Sequence, residues 1–357
     1  MFGMSNLCYN CIKMLTKESR LKYLDIASGI MIVWLLIYHA LYPMYENMVS
    51  ATIPFLYFFM PYFFYKSGML FQIKDVKSLF IKDFKKLIVT FIIWSIIGYL
   101  IMVLWHLFNG EELTWKILLK RPICSLILNC SIPMNSALWF LPVLFIVRQL
   151  TNWLLTRFKS HSIAICSLIF AIICLVLNKY MSPHNLPTWI SATAWGMFFF
   201  SSAIFLREYE VKKWMIILSI SIYIVSLFTS IPSVYGATES GVLLNSIWYV
   251  TSLFSCIYFN NVCRFIVYFY NRIRQNMNTK FLFPILIFVG RNSMSFYVVH
   301  YIIFKIVFDL IWINKNEYYE SYQGLIIVLL CYAIICPLVS VMRNKIKREI
   351  ITNKNNE

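Results

Sequence analysis

Leu24-Asp25-Ile26-Ala27-Ser28-Gly29-Ile30-Met31-Ile32-Val33-Trp34-Leu35-Leu36-Ile37-Tyr38-His39-Ala40 decides the fold of this chain. Between Asp25 and His39 no residue carries a charge, so the segment is long and apolar enough to cross a hydrocarbon core about 30 Å thick as one helix. Comparable stretches follow at 51–71, 87–107, 137–156, 162–178, 189–206, 214–231, 246–268, 290–312 and 323–342, the first running over 24–43. The apolar runs are continuous, whereas barrel strands would alternate with a period of two. Helices satisfy every backbone polar group within lipid, so the expected fold is an all-α, polytopic transmembrane bundle of about ten spans.

Composition agrees. Of 357 residues, 60% are hydrophobic, 18% aromatic and only 13% charged, and the mean hydropathy is +0.70. A water-soluble domain of that composition would expose much apolar surface. The net charge of +17 does not point to nucleic acid, because Lys and Arg sit in short clusters between apolar runs. Alternate connections, with the tails 1–23 and 343–357, hold 23 of these cations on one side and 5 on the other. The excess marks the cytoplasmic side, so both termini are expected there, flanking a membrane domain over 24–342. The ten cysteines are scattered, and Cys8 and Cys11 form a lone C-x-x-C without further ligands, so no metal site is expected.

Besides Arg264, counted with the connection that follows the end of the eighth span, four cations fall inside the expected spans: Lys66, Arg148, Arg291 and Lys305. Charges within a membrane are costly enough to be functional candidates or to require a partner, such as Asp25 or Asp309 for Arg148. His39 lies roughly 20 Å along the helix from Asp25, in the outer half of the bilayer. A desolvated histidine there suits either a general base or a hydrogen bond to a neighbouring helix. His300, about 13 Å into the ninth span, has the same two readings.

The opening of the first span resembles acyltransferase family 3, in the branch similar to fucose 4-O-acetylase, whose first helix reads Leu-Asp-Ile-Ala-Lys/Arg-Gly and then runs apolar to His. Further matches keep their order: Met60-Pro61-Tyr62-Phe63-Phe64 with Ser67-Gly68, the basic Lys82, Lys85 and Lys86 before Leu87 and Trp94, Leu138-Trp139-Phe140-Leu141-Pro142, and Gly290-Arg291-Asn292-Ser293 with Tyr297 and His300. The resemblance covers about residues 20 to 340.

It implies a membrane O-acyltransferase that takes an acyl group, acetyl above all, from cytoplasmic acyl-CoA and places it on a hydroxyl of a surface glycan or its lipid-linked precursor. A bacterial cytoplasmic membrane is the expected location. His39 and His300 are then the catalytic candidates. Asp25, Ser28, Lys66, Lys82, Lys85, Lys86, Arg148 and Arg291 are candidates for holding the acyl-CoA donor, and Trp139 and Phe140 for stacking on the sugar. Ser28, eleven positions before His39, stands where the family carries Lys or Arg. Lys66 is expected to replace that charge, the alternative being that it reaches to the interface. A transporter of a small acid or glycan, with Arg148 and the histidines on its path, is the competing reading.

Overall fold

The computed structural model describes residues 17–41, 56–181, 186–208, 213–228, 241–273, 282–311 and 322–355. Cys8 and Cys11 lie outside them. No β-strand occurs among the described residues. In chain order the helices are α1 (Lys17–Leu41), α2 (Phe59–Met69), α3 (Val76–Asp83), α4 (Val89–Phe108), α5 (Arg121–Asn129), α6 (Phe140–Leu155), α7 (Ser160–Met181), α8 (Thr188–Glu208), α9 (Lys213–Leu227), α10 (Gly241–Ile273), α11 (Leu282–Arg291), α12 (Ser293–Ile311) and α13 (Tyr322–Asn355).

Among the described residues, seven helical stretches are long and apolar enough to cross a membrane, and α11 with α12 makes an eighth if that bent pair is one span. The remaining two expected spans fall on α2 and on the shorter apolar helix Trp214–Leu227. The basic segment before the third expected span is itself helical. Asp75 caps α3 by accepting from the Ser78 amide at 3.0 Å, and a widened turn at Phe84–Ile88 carries the helix on into α4. The ninth expected span, 290–312, starts differently: the helix breaks at Asn292 and its two arms meet at 83°.

The chain forms two compact units. One comprises Met1–Ile53 and Val262–Glu357, the other Pro54–Asn261. In the first, α1 packs along α11, and α12 packs on both α13 and α1. The crossing of α1 and α11 explains two glycines of the family pattern. A Cβ on Gly290 would lie 1.7 Å from the Asp25 carbonyl oxygen, and one on Gly29 would lie 2.3 Å from that of Leu286. The two backbones touch there, which only glycine permits. The break at Asn292 is held by side chains: its amide nitrogen donates to the Phe288 carbonyl at 2.9 Å, while Asn344 of α13 donates to its oxygen at 2.9 Å.

In the second unit α8 is the central helix, packed on α7, α2, α6 and α5. Its core is aromatic. Phe64, Phe140, Trp195 and Phe199 meet edge to face, with Phe64 and Phe140 centroids 4.8 Å apart.

Candidate active site

The first unit brings His39 and His300 together. His39 stands at the end of α1 and His300 two turns into α12, and their ring centroids are 5.1 Å apart. Tyr301 meets the His39 ring edge-on at 5.5 Å, and Tyr297 lies 5.7 Å from His300. His300 is completely buried. Its Nδ1 lies 2.5 Å from the Tyr297 carbonyl oxygen. A carbonyl only accepts, so Nδ1 carries the proton, and in a neutral ring the lone pair lies at Nε2. That Nε2 is buried and has no hydrogen-bond partner among the described residues. A buried acceptor left empty is costly, and here it belongs to the one side chain type whose ordinary chemistry is proton transfer near neutral pH.

The foot of the same unit is polar. Arg291 donates to Asp25 through Nε at 2.9 Å, so these two candidates are partners of one another. Arg264 of α10 donates to the Tyr23 hydroxyl at 3.1 Å with its guanidinium 4.8 Å above that ring. Arg343 of α13 donates to the Ser295 hydroxyl at 3.3 Å. Ser28 is fully buried and donates to the Leu24 carbonyl of its own helix at 2.6 Å. Sequence reasoning missed Arg264 and Arg343 because both lie at span ends, where they were counted as orientation signals. Tyr297 had been noticed only as part of a pattern, although its carbonyl orients His300.

The other candidates belong to the second unit. Arg148 forms a two-pronged pair with Asp83, Nε to Oδ2 at 2.7 Å and Nη2 to Oδ1 at 3.2 Å. Its remaining arm donates to the Ser67 hydroxyl at 3.2 Å, and Phe71 lies under the guanidinium at 5.2 Å. The carboxylate expected for Arg148 was Asp25 or Asp309. Asp83 takes that place because α3 carries it, almost fully buried, to the flank of α6, within a segment read only for its lysines. Lys82, Lys85 and Lys86 are exposed, and Lys66 is half-buried in the last turn of α2. Trp139 is half-buried, 6.0 Å from Trp195, whereas Phe140 is buried in the aromatic core. Trp195 continues the cluster to Trp248 at 6.2 Å.

Arranged this way, one unit places a pair of imidazoles at one end of α1 and arginines at the other. Searches of curated proteins and of solved structures returned no match. A family model described as an acyltransferase domain matches residues 21–342, nearly the whole chain, and the protein therefore belongs to acyltransferase family 3, a family of membrane acyltransferases.

Proposed function

We propose that the protein moves an acetyl group from acetyl-CoA, bound from the cytoplasm, to a hydroxyl of a surface glycan or its lipid-linked precursor in a bacterial cytoplasmic membrane. The observation that carries this reading is the His39–His300 pair, with the empty Nε2 of a buried and oriented His300. One imidazole removes the acceptor proton as the hydroxyl oxygen attacks the thioester carbonyl. The carbon–sulfur bond breaks, the thiolate leaves, and the proton passes from the imidazolium to that sulfur. His300 is the base of this scheme and His39 faces it as the second imidazole. Acetyl and sugar come from the likeness to the fucose 4-O-acetylase branch.

The test is the O-acetyl content of cell-surface glycan in cells making equal amounts of the parent, His39→Ala or His300→Ala. Removal of a general base lowers rate by roughly 10²–10⁴-fold, so His300→Ala is expected to leave background acetylation and His39→Ala to lower it strongly. Parental acetylation in both variants overturns the reading.

A further inference from the structure

We propose that Arg264 and Arg343, gathered around the foot of α1 and the elbow at Asn292, form a binding site for a phosphate group.

In the first unit the charges do not balance. Asp25 is committed to Arg291, and neither Arg264 nor Arg343 has a carboxylate partner among the described residues. What they touch is neutral: a tyrosine ring and hydroxyl for Arg264, a serine hydroxyl for Arg343. The Nε of Arg264 is buried and donates to nothing described. An arginine near neutral pH keeps its charge, so a guanidinium on a membrane helix with an empty donor and no counter-anion calls for an anion from outside the chain.

The two arginines belong to one run of contacts at the foot of the unit. Arg264 meets Tyr23, two residues from Asp25 on α1; Asp25 holds Arg291, the last residue of α11; and Arg343 meets Ser295, in the first turn of α12. The positive end of α12 opens at the same elbow, which adds to the field for an anion. Arginine forks match phosphate oxygens in two-pronged geometry better than lysine does. Both arginines also belong to connections whose cation excess marks the cytoplasmic face.

On the reading above, the nearest phosphates are those of the donor. Fourteen residues of α1, roughly 21 Å of helix, separate Asp25 from His39, a length suited to a pantetheine arm with its phosphates at the foot and its thioester at the histidines. A phosphate of a lipid headgroup has the same chemistry.

The experiment uses the full chain in nanodiscs of phosphatidylcholine and measures binding of adenosine 3′,5′-bisphosphate, which has the phosphates of the donor and no thioester. Arg264→Met and Arg343→Met are each expected to weaken it at least about tenfold, the loss of one charge-assisted contact, while Arg157→Met, which removes a cation stacked on Trp153 in the second unit, binds as the parent does. Arg264→Lys keeps the charge and loses the fork, and is expected to fall between. Native mass spectrometry with phosphatidylglycerol present forms the second arm: lipid retention lost in Arg264→Met, with nucleotide binding unchanged, assigns the phosphate to a headgroup. If folded Arg264→Met and Arg343→Met match the parent for both nucleotide and lipid, there is no phosphate site here. That result leaves the histidine reading intact, because the acetylation assay with His300→Ala decides it separately.

Discussion

Arg148 and Arg264 are both arginines on membrane helices, one in each unit, and they are treated in opposite ways. Arg148 has a two-pronged carboxylate, a serine hydroxyl and an aromatic ring beneath it, and Gln149 joins the same carboxylate at 3.3 Å. Arg264 has a phenol and an empty Nε. The histidines repeat the contrast on the side of the open residue, since His300 has one nitrogen satisfied and the other bare. A saturated intramembrane charge holds helices together, whereas an unsaturated one leaves binding energy for something not in the chain. On the proposed function, the second unit is scaffold around α8 and the first the seat of chemistry.

The largest expected effect lies in that first unit, at Gly290→Ala. The added methyl carbon would overlap the Asp25 carbonyl, at 1.7 Å, and backbone cannot swing aside as a side chain can. The cost is expected to exceed about 3 kcal/mol, read as loss of folded protein in a thermal unfolding series. Gly98→Ala in the second unit is the control, because its Cβ would meet the Asn135 Cβ at 3.4 Å, an ordinary contact. It is expected to be neutral or slightly stabilising, as Ala is a better helix former. Equal stability of the two variants would mean that α1 and α11 do not touch backbone to backbone.

The next effect sharpens the contrast between the arginines. Asp83→Asn leaves Arg148 without its counter-charge, and breaking such a pair by one partner costs about 3 kcal/mol. The double substitution Asp83→Leu with Arg148→Met removes both charges and is expected to recover most of that loss. Arg264→Met removes a charge that has no carboxylate and is expected to change unfolding by less than about 1 kcal/mol. Denaturation of the four proteins in matched detergent makes this comparison. Comparable destabilisation by Arg264→Met and Asp83→Asn would erase the distinction between structural and open charges.

The fold was legible because lipid makes a simple demand. Uninterrupted apolar length means helix, and each of the ten stretches overlaps a described helix, seven of them, or eight with the bent pair, long and apolar enough to cross a membrane. What holds the elbow at Asn292 was not legible, since the side chains that do so come from Asn344 and from Asn292 itself. His39 and His300 were each visible as histidines in apolar surroundings, but nothing in a chain separation of that size shows that their rings meet. The partner of Arg148 was hidden for a different reason. Asp83 sits among lysines, and a segment judged by its net charge conceals the one charged residue of it that is buried, beside Leu79.

The smallest expected effect falls on Lys66, the residue that the sequence nominated to replace the charge missing at Ser28. It occupies the last turn of α2, where the negative end of the helix favours a cation. Arg264, by contrast, belongs to the same unit as Ser28 and touches the turn of α1 just before it. Ser28 is itself fully buried and bonded to Leu24, so Ser28→Lys would force an ammonium and its stem into a packed helix face and is expected to destabilise rather than restore. Lys66→Met should therefore weaken binding of adenosine 3′,5′-bisphosphate by less than about threefold, under 1 kcal/mol, against the tenfold expected for Arg264→Met. A tenfold loss at Lys66, with Arg264→Met binding as the parent does, would return the donor's charge to α2 and reverse the assignment of the two units.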